Sequence, residues 1–231
     1  MIKSNSVVLV GEMNPSIFSP AWIRQYVDLT VDDGSDAEVQ VIHSEISDFM
    51  LCDIRFTVER NRLTIRSLAH DVELLVAVVE QIFGEVLSHT PIWAYGVNFE
   101  RHVDFLSFEK RNELGRLLCP LAPWGEWAKG FDNRDPKLNS GMASVSMKKV
   151  ISKAPDAYEM FTVQPSNLEE MNSTGVFFQI NNHFSQVPGR DFKDPAFRSE
   201  LLISLRENVS KYVTNFDSVV QHFLTWGGID E

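Results

Sequence analysis

The chain is poor in the features that announce chemistry. Its 231 residues include two cysteines, Cys52 and Cys119, which fit no metal-ligand spacing and no disulfide framework. Their scarcity places the expected compartment in a reducing cytoplasm. Long apolar runs are missing as well. The longest uninterrupted one, residues 74–79, falls far short of the ~18 residues a membrane-spanning helix needs. Behind Lys3 the apolar stretch 7–10 stops at Gly11 and Glu12, too short for the core of a secretory signal. Basic charge is scarce: 21 Lys and Arg stand against 32 Asp and Glu, a formal net of −11, and Lys148 and Lys149 are the only adjacent lysines. Direct binding of DNA or RNA, which depends on clustered basic residues, is therefore not expected. An acidic surface promotes solubility and also steers a chain toward a basic protein partner.

Catalytic signatures are equally absent. No phosphate-cradling glycine loop, no dinucleotide fingerprint, no nucleophile elbow and no His-Glu-x-x-His occurs. The six histidines are scattered, none paired at i and i+4 on a helix, so neither a metal nor a cofactor is expected.

What is present is a block that occurs twice, two short strands followed by an amphipathic helix. Residues 53–58 and 62–67 alternate apolar and polar, then Leu74, Leu75, Val78, Val79, Ile82, Phe83 and Val86 recur at helical spacing. Residues 159–163 and 175–181 repeat the pattern before Phe197, Leu201, Leu202, Leu205, Val209 and Val213. The pattern predicts an α+β fold of two related antiparallel sheets, each packed by one long helix, with an internal duplication as its origin. The first half, residues 1–105, carries a helix at about 71–88, and the second, residues 106–231, one at about 195–225. Ser19-Pro20 and Asp194-Pro195 read as helix starts, a cap followed by proline in the first turn. Residues 214–217 read as a weaker second cap where the last helix bends. Strands are expected at 39–44, 50–58, 62–68, 142–149, 158–164 and 175–182. A long strand at 92–105 joins the halves into one cooperative unit, and 120–140 is an irregular loop.

Four places could carry function. Trp124 and Trp127 lie in a Pro/Gly-rich loop. Indoles are costly to leave in water and make good interface anchors, although such a loop can also fold back to plug the core. Strand alternation sets Glu100, His102 and Asp104 on one face, where two carboxylates could tune the imidazole or hold a cation. The plainer reading is a solvated strand face, with Phe99, Val103 and Phe105 turned inward and Arg101 awkwardly among them. Asn181, Asn182 and His183 close a strand and could orient a small ligand or cap a turn. Cys119 could serve as a nucleophile, or fill space as a small buried hydrophobe.

The hairpin ending at residues 61–65, the long helix after it and the strand centred on residues 95–99 resemble an uncharacterised, sporadically distributed bacterial family of two-part α+β proteins. Residues 175–180 and the helix after Pro195 match that family's second part. Val97 stands where the family pattern has a basic residue, and Asn181 and Asn182 where an acidic one is common. No activity is assigned to that family, so the resemblance implies a fold and a bacterial or phage setting, and it transfers no catalytic residue.

The expectation is a non-enzymatic protein-interaction module, a subunit of a bacterial or phage conflict system, contacting its partner through Trp124 and Trp127. The alternative is a small-ligand-binding protein or enzyme, with a pocket between sheet and helix lined by Trp93, Tyr95, Asn181 and His183, and with His102 in reserve. The chain is expected to be a monomer or a subunit of a hetero-complex, because acidic neighbours such as Asp32, Asp33 and Asp36 discourage edge-to-edge pairing.

Overall fold

Among the described residues, alternation of apolar and polar residues builds nine strands: β1 (Ile2–Gly11), β2 (Glu38–Ile42), β3 (Ile46–Leu51), β4 (Ile54–Glu59), β5 (Arg62–Ser67), β6 (Ile92–Asp104), β7 (Val145–Lys153), β8 (Asp156–Pro165) and β9 (Gly175–Ser185). They belong to a computed structural model that describes residues 1–29, 36–131, 140–153, 155–171, 173–185 and 194–227. Asp32, Asp33 and residues 132–139 of the expected loop lie outside the described residues.

All nine strands lie in one sheet, in the order β2-β3-β4-β5-β1-β6-β9-β8-β7. This corrects the expectation of two sheets. β6 pairs antiparallel with β1 on one side, Val7 opposite Val97, and with β9 on the other, Phe99 opposite Ile180. A 13-residue strand paired on one side alone would leave a long unpaired edge, and joining the two strand sets at β6 removes it. Outward from β1 and β6 the two sides mirror each other. Each has a central strand, a helix, an antiparallel meander returning to that strand, and a second helix.

The helices are α1 (Pro20–Tyr26), α2 (Val72–Glu80), α3 (Phe108–Leu118) and α4 (Pro195–Trp226). Ser19 and Asp194 cap α1 and α4 as expected, accepting from the backbone N–H of Trp22 and Ala196. α2 continues into a π-helical turn, Gln81–Val86. No second helix start occurs at residues 214–217, and α4 runs 32 residues unbroken, with Thr214 Oγ1 donating to the carbonyl of Ser210 one turn back. α2 and α4 cover the same face of the sheet and pack on each other, α2 against β1 and β5, α4 against β6 and β9. Of the described helices only α4 is long, which corrects the expectation of one long helix for each half. Leu75, Val79, Leu201 and Leu205 are all buried there, and Phe216 of α4 stacks on Phe99 with ring centroids 5.6 Å apart.

Among the strand boundaries that differ from the sequence reading, three matter most. The single strand expected at 50–58 is a hairpin, β3–β4, turning at Cys52 and Asp53 with φ of 51° and 57°. Left-handed turn positions favour Gly or Asn, and neither is present to signal this one. β9 extends to Ser185, so Asn181, Asn182 and His183 lie inside a strand rather than closing it. β7 starts three residues later than expected, leaving residues 142–144 as connecting chain.

Candidate functional site

α3 starts at Ser107, whose hydroxyl accepts from the Lys110 N–H, and stops at Cys119 because Pro120 cannot continue it. The chain then forms two short 3-10 turns within Ala122–Phe131, joined at Gly125 with φ of 57° and ψ of −135°. Glycine reaches that conformation without a Cβ penalty. Ala128 is buried and anchors the segment. Trp124 and Trp127 point outward, 51% and 66% exposed. Their rings lie 5.3 Å apart, and Trp127 meets the edge of Phe131 at 4.7 Å. With Cys119, Leu121 and Met142 they line an apolar cleft of about 250 Å³, whose far wall is residues 141–144.

A smaller cavity of about 40 Å³ adjoins the cleft, sharing Cys119, Leu121, Phe131 and Met142 and adding Arg111 and Arg116. Arg111 is 5% exposed. Its guanidinium lies 5.0 Å from the Phe108 ring centre, and Nη2 donates to Asn112 Oδ1 at 3.3 Å. Burial lowers its pKa from the usual arginine value. The two arginines thus belong to the smaller cavity, and the cleft lining itself is apolar. No histidine lines either cavity, so nothing there would activate Cys119 in the manner of a thiol–imidazole pair.

The other sequence candidates are split by the sheet. Tyr95 lies on the helix side and is fully buried. It stacks on Phe184 at 5.2 Å and its hydroxyl meets Ser204 Oγ at 3.0 Å and Tyr212 Oη at 3.4 Å. Burial raises the pKa of both tyrosines from the usual tyrosine value. Trp93 is half-buried against the same core. Asn181, His183 and His102 project from the opposite face, on the register set by Asn98 opposite Asn181 and His102 opposite Phe177. A pocket lined by Trp93, Tyr95, Asn181 and His183 together would have to open on both faces of the sheet.

On that second face the groups are occupied by one another. Glu100 accepts from Arg66 Nη2 at 2.7 Å and Gln179 Nε2 at 3.2 Å. Asp104 accepts from the Leu106 N–H at 2.8 Å. His102 instead shares a hydrogen bond with Ser166 Oγ at 2.9 Å and lies 4.7 Å from the Phe177 ring. Neither carboxylate hydrogen-bonds the imidazole it flanks. His183 lies 4.6 Å from Tyr158, whose other neighbour is Lys148 Nζ at 3.7 Å from the ring centre. Burial is the main cause lowering the pKa of both His102 and His183. Asn181 Oδ1 crowds Gly96, where an added Cβ would stand 3.2 Å away. Asn182 points to the helix side, donating to the Val97 carbonyl at 3.1 Å.

Among the described residues no group of His, Cys, Asp and Glu could hold a metal ion, and no helix is long and apolar enough to cross a membrane. The cleft residues Phe131 and Met142 are not marked as site residues by the sequence, because Phe131 lies alone in the expected loop and Met142 reads as the first residue of a strand. No protein-family model matches the chain, and no curated protein is significantly similar to it.

Proposed function

We propose that this protein is a non-enzymatic protein-interaction module that receives a large apolar side chain of a partner polypeptide in the cleft between Trp124, Trp127 and Met142. The observation that carries this reading is the exposure of two tryptophans, 51% and 66%, whose rings meet each other and, from Trp127, Phe131. At ~250 Å² per indole these fractions leave roughly 290 Å² in water. Covering half of it would contribute on the order of 3–4 kcal/mol to a complex. Aromatic anchors seated in a pocket dominate many interfaces in this way. The net charge of −11 would speed encounter with a partner that is positively charged overall, whatever the local charge of the segment that docks. A bacterial or phage conflict system is the setting implied by the family resemblance, and that resemblance is its whole support.

The test is the double variant W124A/W127A. Because both side chains are exposed, its melting temperature should stay within about 2 °C of the parent. Capture of the partner recovered from a bacterial lysate by the parent chain should be lost. Equal recovery of the same partner by both chains would overturn the assignment.

A further inference from the structure

The cleft does not stand alone on the surface. Its far wall, residues 141–144, runs directly into β7 (Val145–Lys153), the last strand on this side of the sheet. Among the described residues β7 pairs only with β8, so no described strand lies beside its outer edge, the arrangement that accepts an added strand. Its side chains are unusual for an edge left to water. Met147, Val150 and Ile151 are 73%, 54% and 55% exposed.

The charge of β7 is also distinctive. In a chain of net charge −11, these nine residues hold Lys148, Lys149 and Lys153 and no carboxylate. Two of the lysines lie on opposite faces of the strand. Lys148 is stacked over Tyr158, and Lys149 Nζ is 3.1 Å from Glu159 Oε2. A neighbouring strand would therefore meet Lys148 on one face and, on the other, Lys149, which shares its charge with Glu159. The other sheet edge, β2, is only five residues long, has one carboxylate, Glu38, and no lysine, and does not lead into the cleft.

Taking the cleft as a docking site, we propose that β7 and the cleft form one continuous binding surface for an extended acidic segment of a partner protein. The segment adds to β7 as a tenth, antiparallel strand, with Asp or Glu opposite the lysines and apolar residues opposite Met147 and Val150. Antiparallel addition continues the pattern of the whole sheet and fixes polarity. The cleft lies at the N-terminal end of β7, so the partner's apolar anchor must follow its strand-forming residues in sequence.

The test is selection of displayed ten-residue random peptides on the intact chain, followed by synthesis of the enriched sequences. The expected sequences carry Asp or Glu at several positions and an aromatic or Leu near the C-terminal end. On binding, amide hydrogen exchange should slow in β7. The K148E/K149E variant, altered only at exposed positions, should bind at least tenfold more weakly. N-methylating the peptide backbone should abolish binding at every second residue, a readout that requires no protein variant. Binding that W124A/W127A abolishes but that leaves β7 exchange unchanged would overturn strand addition and leave the cleft reading intact. Protection of β7 with binding insensitive to W124A/W127A would overturn the cleft. Selection without acidic preference, or no selection at all, would overturn the proposal. So would concentration-dependent β7 protection without peptide, which would make a second copy of the chain the occupant.

Discussion

Arg101 is the most informative residue to perturb, because a guanidinium 6% exposed sits on the core side of β6, between Phe99 and Val103. Nη1 donates to Asn5 Oδ1 at 3.2 Å and to the Glu100 carbonyl at 2.9 Å. The group stacks 5.2 Å from the Phe216 ring centre, and Nη2 is 3.6 Å from Asp217 Oδ1 on α4. Burial lowers its pKa from the usual arginine value, while Asp217 and Asp71 pull it back up. Arg101→Ala would remove two charge-assisted hydrogen bonds, each contributing about 1.5 kcal/mol net, and leave Asn5 Oδ1 without this donor. It would also forfeit the stack on Phe216, about 1 kcal/mol, and relieve the cost of burying a charge. The balance is a loss of about 3 kcal/mol, or roughly 6–12 °C in melting temperature for a chain of this size. Arg101→Met refills the volume and removes the buried charge, so it should cost about half as much. Asp217→Asn should cost about 0.5 kcal/mol, because the Asp217 side chain is 58% exposed. Urea or thermal unfolding followed by circular dichroism ranks the three. If Asp217→Asn cost as much as Arg101→Ala, the ion pair would hold the two elements together, and the hydrogen-bond and packing account would be wrong.

Three further outcomes follow from other parts of the fold. His102 and His183 have folded pKa values below the usual 6.5, so the unfolded chain binds more protons and their contribution, fully present above pH 6.5, is lost as pH falls through and below that value. Replacing both with Gln should flatten the decline of melting temperature between pH 7.5 and 5.5, and an unchanged slope would contradict the assignment. Asp53→Gly should stabilise the chain by about 0.5–1 kcal/mol, because φ at that turn position is 57°; a drop in urea midpoint would show that the Asp side chain earns its place there. Since β6 is hydrogen-bonded to both β1 and β9, calorimetry should give one unfolding transition, and two resolved transitions would show that the halves melt separately.

The helices were legible residue by residue. Ser19 and Asp194 before proline marked two starts, and the three- and four-residue spacing of Leu75, Val79, Leu201 and Leu205 marked the faces that are now buried. Alternation along 99–105 correctly set Glu100, His102 and Asp104 opposite Phe99, Arg101 and Val103. What local pattern could not report was pairing. Val7 opposite Val97 is a contact between strands 90 residues apart, and nothing in either segment names the other. The same blindness to long-range neighbours allowed Tyr95 and His183 to be grouped in one pocket, because which face a residue presents depends on register across strands. The cleft was half legible. Two tryptophans stand out in a Pro/Gly-rich segment, while Phe131, Met142 and the lysine-bearing edge acquire meaning only when the chain brings them together.

The strand order also has a consequence during synthesis. β6 can pair with β1 as soon as it emerges from the ribosome, but its second neighbour, β9, is made only after roughly 80 more residues, at ~5–20 residues per second a delay of ~4–16 s. During that interval a thirteen-residue strand containing Trp93, Tyr95 and Phe99 has one side open and no α4 above it. The nascent chain thus passes through a stage whose stickiest strand is half paired. Heat-shock or ribosome-bound chaperones would act on it most strongly between completion of residue 104 and emergence of α4, and fragments ending inside that window should be far less soluble than the whole chain.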